Sequence, residues 1–364
     1  MRTNDLKYLF AYTIPIATLV SVTSEGIFTY TTLIYTFFFI PILEFILKDV
    51  DSKVQYSKSE TENKLSSRFF DILLYLNIPI VFGLLVFGLF NLTQLQLDTS
   101  EIIGMVLSLG ILLATNGINV GHELGHRKSI MERTFSKLLY LPCLYMHFYI
   151  EHNFGHHNNV ATPKDPATAK FNQTVYGFWI TSVIGQYINA WKIQLQLLNI
   201  NNKSFFSYKN DMLYYTIFEI TYLISIYLFF GFYGLIFSII IGVLSFLFLE
   251  TINYIEHYGL VRKKLPSGRY ERVQTHHSWN SNQFIGRIVL YELTRHSDHH
   301  YKASKKYQIL ETKSESPQLP YGYPTSIILA LLPWLWFSIV NPLLDKENKD
   351  DKTLKTHNNI SLSR

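Results

Sequence analysis

Residues 214–254 read YYTIFEITYLISIYLFFGFYGLIFSIIIGVLSFLFLETINY, and Glu219 and Glu250 are the charged residues in that stretch. A helix crosses the hydrocarbon of a bilayer with about 20 predominantly apolar residues. The run is therefore long enough for two crossings, Tyr214–Phe232 and Tyr233–Tyr254, and with Gly231-Phe-Tyr-Gly234 at the seam it predicts a tight helical hairpin. Tyr8–Ser24, Ile27–Leu47, Ile72–Phe90 and Ile102–Val120 have the same character. The expectation is an all-α membrane protein with six transmembrane helices. The chain has 364 residues with 27 Phe and 25 Tyr, and runs this long and this aromatic do not suit the buried helices of a soluble core.

Orientation follows from Lys and Arg in short loops, which favour the cytoplasm. The segment Lys48–Arg68 holds five of them, whereas the turns near Glu25 and between Asn91 and Glu101 hold none. Both termini and the segments 48–68, 121–213 and 255–364 are thereby assigned to the cytoplasm. Arg2, Asp5 and Lys7 at the start, with no small-residue cleavage site, do not read as a cleavable signal. Residues 1–344 read as one integral-membrane domain. Val175–Gln196, with Trp179 and Trp191, reads as an amphipathic helix lying in the interface. Thr325–Leu344 is apolar but interrupted by Pro333 and Pro342, and reads as an interfacial or re-entrant segment rather than a seventh span. Residues 345–364 are a mixed-charge tail with a disordered composition. A net charge of +5 is ordinary for a basic cytoplasmic face, and nothing points to nucleic acid.

Nine of the 13 histidines fall in four motifs on that same side: His122-Glu-Leu-Gly-His126, His152-Asn-Phe-Gly-His156-His157, Glu256-His257-Tyr-Gly259 and His296-Ser-Asp-His299-His300. Residues three or four apart share a helix face, so His122/His126, His152/His156 and His296/His299/His300 are each expected to converge. Neutral imidazole is the commonest metal ligand. One tetrahedral ion takes about four ligands, so nine imidazoles argue for two metals. Gly121, Gly125, Gly155 and Gly259 beside them allow close backbone approach. Cys143 is the one cysteine, which excludes a disulfide within the chain, a multi-cysteine zinc site, a four-cysteine iron centre and a CxxCH haem attachment.

His122-Glu123-Leu124-Gly125-His126 also matches the HExxH signature of zinc peptidases. A single zinc site would leave most of the other clustered histidines without a task. A histidine-rich metal transporter would place its site near the bilayer midplane, whereas these motifs lie past the span ends. Imidazole suits iron, copper and zinc. Oxidising an inert C–H bond needs a redox-active metal, which zinc is not.

The chain resembles the integral-membrane alkane monooxygenases, the alkane 1-hydroxylases, across nearly its whole length. The resemblance is carried by Gly121-His-Glu-Leu-Gly-His-Arg127, Glu151-His-Asn-Phe-Gly-His-His157, Val160-Ala-Thr-Pro-Lys-Asp-Pro166, Asn253-Tyr-Ile-Glu-His-Tyr-Gly-Leu260, His277-Ser-Trp-Asn280 and Arg295-His-Ser-Asp-His-His300. The three-box histidine pattern alone is shared with membrane fatty-acyl desaturases, hydroxylases and xylene-type monooxygenases; the Asn253–Leu260 and Arg295–His300 stretches are more specific to the alkane branch. The resemblance implies a di-iron site, O2 as oxidant, n-alkanes drawn from the membrane and hydroxylated at the terminal methyl, and electrons from rubredoxin with its NAD(P)H-dependent reductase. Rubredoxin needs two CxxC pairs, so here it is a separate protein. The implied location is the cell inner (plasma) membrane. Thr115–Val120 and Tyr301–Lys306 differ from the forms associated with the best-known members, which bears on substrate range more than on reaction type.

By motif match the iron ligands are His122, His126, His152, His156, His157, His257, His296, His299 and His300, with no apportioning between the ions. Ligating histidines usually donate their second N–H to an acid or carbonyl, and Glu123, Glu151, Asp165, Glu256 and Asp298 are the available acids. Glu219 and Glu250 lie within spans and are functional candidates on that ground. His147, His276 and His277 are not assigned as ligands, although His277 stands close enough in the motif to hydrogen-bond near the site. Tyr35–Phe39 and Phe246–Phe248 are candidate tunnel walls. Arg262, Lys263, Lys264, Arg269, Arg272, Lys302, Lys305 and Lys306 are candidate docking cations for an acidic rubredoxin.

Overall fold

The computed structural model describes residues 3–47 and 54–361, with side chains through Glu347. Among the described residues there are helices and two isolated β-bridges, and no strand. Apolar helices of membrane-crossing length are α1 (Asn4–Thr23), α2 (Gly26–Ile46), α3 (Arg68–Gln94) and α4 (Thr99–Gly125). They are followed by α5 (Ile130–Tyr140) and α6 (Val175–Ile200), and then by α7, Asp211–His257, which is 47 residues long. The short helix α8 (Tyr323–Ala330) precedes α9 (Pro333–Ser361).

A straight helix the length of α7 would reach roughly 70 Å, more than twice the ~30 Å hydrocarbon core. It does not run straight. Gly231 adopts φ +69, a left-handed conformation that breaks the helix. Tyr222 Oη and Ser238 Oγ, 16 residues apart, lie 2.7 Å from each other. Glu219 accepts from the Met146 amide and Glu250 from the Tyr145 hydroxyl, each at 2.9 Å, so the two arms run back past the same neighbouring pair. The hairpin expected at Gly231–Gly234 is present, and the chain makes a six-span, multi-pass membrane protein. The segment expected to be re-entrant bends by 119° between α8 and α9.

The far end of the bundle is closed by short contacts between turns. Gly26 N donates to Glu101 at 2.7 Å, and Asn91 Nδ2 donates to the Val22 carbonyl at 2.6 Å. In lipid, apolar surface alone does not drive helices together, and small residues and hydroxyls take over. Ser108 Oγ donates to Ser21 Oγ at 3.1 Å and to the Thr29 carbonyl at 3.0 Å, tying α1, α2 and α4. A Cβ on Gly104 would lie 2.2 Å from Thr29 Oγ1, so that crossing needs glycine. Helix α6 reverses the amphipathicity of a soluble helix. Its buried stripe includes Ser182, Gln186 and Gln194, while Ile180, Ile184, Ile188 and Ile200 are exposed. The polar stripe is drawn inward by Glu250, which accepts from Ser182 Oγ at 2.5 Å and from Gln186 Nε2 at 2.8 Å. Glu250, a functional candidate from its place within a span, is fully buried.

Helix α4 extends past the expected span end and carries His122 in its last turn, and His257 is the final residue of α7. Both therefore sit at the same end of the bundle, opposite Gly231 and the 94–99 turn. The polar stretch from 348 onward lies outside the residues whose side chains are described.

Candidate metal centre

The nine motif histidines gather into two adjoining groups. His122, His126, His152, His157 and His299 form one; His156, His257, His296 and His300 form the other. Within each group every histidine offers a nitrogen within 4.8 Å of all the others. In the first, Nε2–Nε2 separations are 3.3 Å for His122–His126, 3.2 Å for His126–His152 and 3.0 Å for His152–His157. The His299 ring lies 4.6 Å from that of His122, and its Nε2 is buried without a hydrogen-bond partner. In the second, the separations are 3.2 Å for His156–His300, 3.1 Å for His257–His296 and 2.9 Å for His296–His300. Two nitrogens about 2.1 Å from one ion sit roughly 3.0–3.4 Å apart at right-angle to tetrahedral geometry. The side chains are thus spaced as ligands around an ion in each group.

The partition departs from the helical expectation. His152 and His156 do not converge. Residues 151–156 form a π-helical turn, in which the His157 amide reaches back to the His152 carbonyl. That i→i+5 bonding stacks residues five apart, so His157 joins His152 and His156 faces the other group. Likewise His296 and His300, four apart, share a group, while His299 points into the other. His122 and His126 pair as expected. A second π-helical turn, 113–118, sits just before His122 in α4.

Three acids set the surroundings. Asp165 Oδ2 lies 2.9 Å from His156 Nδ1 and also accepts from Thr168 Oγ1 at 2.6 Å. Burial opposes charge on His156, but Asp165 outweighs it and the net shift is upward. The pairing holds the proton on Nδ1 and leaves Nε2 for a metal. Glu256 Oε2 stands 3.1 Å from His296 Nε2, among the facing nitrogens rather than behind them, and its other oxygen accepts from Tyr323 Oη at 2.6 Å. Glu151 is fully buried, accepts from Asn189 Nδ2 at 3.0 Å, and is pushed up to about 8 by burial and by Asp165. Burial, reinforced by neighbouring imidazoles, holds His126, His152 and His157 well below the usual histidine range, so they stand neutral and ready to ligate.

Glu123 and Asp298 serve the scaffold instead. Glu123 pairs with Arg127 at 2.7 Å and accepts from the Tyr307 amide at 3.2 Å. Asp298 binds Lys305 at 2.6 Å, Lys313 at 3.4 Å and the Glu311 amide at 2.8 Å. Adjacent residues on a helix face different ways, so standing next to His122 or His299 in sequence carries an acid away from the nitrogens. Lys305 and Lys306 are likewise committed: Lys306 lies 3.0 Å from Asp71. Of the docking cations, Lys263, Lys264, Arg269, Arg272 and Lys302 are exposed.

Sequence reasoning missed three supports. Asn280 accepts from the Ser297 amide at 2.8 Å and donates to its hydroxyl at 2.7 Å, clamping the helix between His296 and His299. Trp279 pins the Glu256–Tyr258 turn through its amide and its indole N–H, at 2.8 and 2.9 Å. Glu292, buried with Arg287 and Arg295, accepts from Tyr8 Oη at 2.9 Å. The HSWN motif was the available signal for the first two. Glu271, His276 and His277 also lie together. Yet His277 Nδ1 accepts from the Gln274 amide at 2.9 Å, which places its proton on Nε2 facing Glu271 at 3.3 Å. That is a histidine–glutamate hydrogen bond, not a free ligand atom.

The sequence model of the fatty acid desaturase family matches residues 100–329. The chain is 38% identical to alkane 1-monooxygenase 1 of Alcanivorax borkumensis over 88% of its own length and 78% of the relative's. It is 38% identical to an alkane 1-monooxygenase of Pseudomonas putida over 76% of its length and 68% of the relative's. It is also 31% identical to the hydroxylase component of xylene/toluene monooxygenase from Pseudomonas putida, over 78% and 76% of the two chains.

Proposed function

Because the chain belongs to the fatty acid desaturase family and, within it, to the alkane 1-monooxygenases, we propose that it hydroxylates the terminal methyl of n-alkanes to 1-alkanols, using O2 and electrons from a separate rubredoxin and its NAD(P)H-dependent reductase. The observation that carries this reading is the pair of imidazole groups with Nε2 spacings of 2.9–3.3 Å. The nine histidines are the ligands of two irons, five around one and four around the other. An all-imidazole donor set with a single carboxylate alongside suits iron. Bound iron would supply activation of dioxygen and insertion of one of its atoms into a C–H bond.

The chain's own residues supply the rest. A narrow cavity of about 50 Å³ lies between spans, lined by Ile14, Phe37, Ile111, Phe248 and Ile327 among others, and closed by Tyr323. Phe37 and Phe248, from the two expected wall segments, stack with centroids 5.9 Å apart. Tyr323 links this cavity to the second histidine group through Glu256. The end of an alkane arriving from lipid would enter it methyl-first, and its apolar walls exclude water from the methyl group. Asp165 keeps the His156 proton at Nδ1, and Glu256 holds a carboxylate beside the His296 nitrogen. A purely apolar tunnel grades chain length by only about 1–3 kcal/mol per methylene. The site faces the cytoplasm of the inner membrane, with both termini on that side, because the exposed cations around residues 262–272 gather there.

The test supplies octane, dodecane and hexadecane to membranes containing the protein, with rubredoxin, its reductase and ¹⁸O₂. Labelled 1-alkanols are the expected products. Acyl lipids with a new double bond and no alcohol would show a desaturase, and labelled benzylic alcohol from xylene in place of alkanols would show a xylene-type enzyme.

A further inference from the structure

A second cavity, of about 480 Å³, opens at the histidine end of the bundle between α5, α6 and the start of α7. Its volume is within the range of small-molecule sites. Four cations line it, Arg133, Lys137, Lys203 and Lys209, against one carboxylate, Asp211. Asp211 is spent on Lys137, 3.0 Å away, so the other three set the sign of the cavity. It adjoins a groove of about 470 Å³, with which it shares Thr134, Lys137, Tyr208 and Asp211. That groove turns apolar along Leu138 of α5, Leu141 just beyond it and Phe218 of α7.

The wall that carries two of the cations is built, not loose. Gln194 donates to the Lys209 carbonyl at 2.9 Å, Asn210 to the Phe205 carbonyl at 2.8 Å, and Trp191 stacks on Phe205 with centroids 5.9 Å apart. At the rim, Phe206 of the same loop is 83% exposed and Tyr208, which lines both cavity and groove, 75%, while Ile200 at the end of α6 is 76% exposed. Exposed aromatic and aliphatic side chains beside lysines, at the first turn of a spanning helix, are the pattern of a membrane–water interface.

We propose that this cavity and groove bind one anionic phospholipid, the phosphate among Arg133, Lys203 and Lys209 and an acyl chain along Leu138, Leu141 and Phe218. The occupant needs negative charge at one end and a long apolar body at the other, because the lining changes from cationic to apolar across the shared residues. A soluble acidic protein is a poorer fit: the cations face a concave pocket rather than a flat surface, and the exposed rim is apolar. The walls include Tyr149 and Phe154, which flank His152 in sequence, so the lipid packs against the segment that carries part of the histidine centre.

The full chain, purified in mild detergent, is mixed with equal amounts of phosphatidylglycerol and phosphatidylcholine of matched chains, and retained lipid is measured by native mass spectrometry. Wild type should retain phosphatidylglycerol preferentially. The double variant K203Q/K209Q should lose roughly 30-fold in that retention, at about fivefold per cation, with unchanged thermal unfolding. Leu141→Asp, which spoils the groove and spares the cations, should also lose it. Equal retention of the two lipids, or undiminished retention in K203Q/K209Q, overturns the proposal. So does full displacement of the lipid by inorganic phosphate, which would mark a free-phosphate site, or loss of rubredoxin binding in the double variant with lipid retention intact. The readout is bound lipid rather than turnover, so it stands or falls separately from the alkane reaction.

Discussion

His152 and His157 stand five residues apart and bring their Nε2 atoms to 3.0 Å, while His156 between them turns to the other group. The π-helical turn that does this is held by Gly155. A Cβ there would sit 2.6 Å from Glu151 Oε1 and 2.9 Å from Asn189 Nδ2. Gly155→Ala must displace Glu151 or relax the turn toward α-helix, which would swing His157 out of its group. The expected result is full-length, membrane-inserted protein with at least one iron lost and activity abolished. Elemental analysis of the purified variant decides it; wild-type iron content would show that the turn does not set the partition.

The two groups should also be separable. His296→Ala removes a nitrogen from the four-histidine group and touches none of the five others, so it should cost one iron and leave the other bound, with no turnover. Asp165→Asn is subtler. It keeps the shape but weakens the acceptor at His156 Nδ1, and such changes cost about 10–100-fold in metal affinity or activity. Chelator titration should show that loss for one of the two ions. A uniform weakening of both would mean that Asp165 acts on the fold rather than on His156.

The six spans, the hairpin and the identity of the nine histidines were legible because each rests on composition and short spacing. The Tyr214–Tyr254 run is too apolar to be anything but membrane, and Gly231 is where such a run can reverse. The partition of the histidines was not legible. HNFGHH looks the same whether its backbone is α or π, and the choice is made by Glu151 and Gly155 packing against Asn189 of α6. Nor was it legible which of the five candidate acids face the histidines. Proximity in sequence favoured Glu256 and Asp298; Glu256 does face the nitrogens, but helix geometry turns Asp298 toward Lys305 and, likewise, Glu123 toward Arg127. Asp165, nine residues beyond His156, reaches back because the intervening loop folds over it. Tyr323 stands two residues before the Thr325–Leu344 segment, and no motif marks it in the sequence.

Glu292 gives a stability prediction. It lies 1% exposed with Arg295 at 3.2 Å and Arg287 at 3.5 Å, and Tyr8 ties it to α1. Removing one partner of a buried ion pair costs about 3–5 kcal/mol, because the remaining charges are left in a dry site. Glu292→Ala should therefore expose the Arg295–His300 segment and lower the melting temperature sharply in detergent, whereas Tyr8→Phe should cost less. Burial alone would raise the Glu292 carboxyl; Arg295 and Arg287 outweigh it and hold it below the usual range. A depressed acid contributes stability that is present above its unfolded value of about 4.3 and lost as pH falls through the folded one. The wild type should lose this increment only in acid, and Glu292→Ala should flatten that part of the profile.

The electron donor should dock on the exposed cations near the third histidine motif. Lys305 is no test of this, because its reversal would break the buried Asp298 pair and disturb His299. Lys264, Arg269 and Arg272 are exposed on the loop that follows His257 and leave that pair untouched. Reversing all three to Glu should slow rubredoxin-driven turnover while iron content stays intact. The benefit of opposite charges fades as the screening length falls to about 8 Å near physiological salt, so the wild-type rate should drop with added salt and the triple variant's should barely move. Rates and salt slopes that match between the two would place the donor elsewhere and leave these cations as topological signals for membrane insertion.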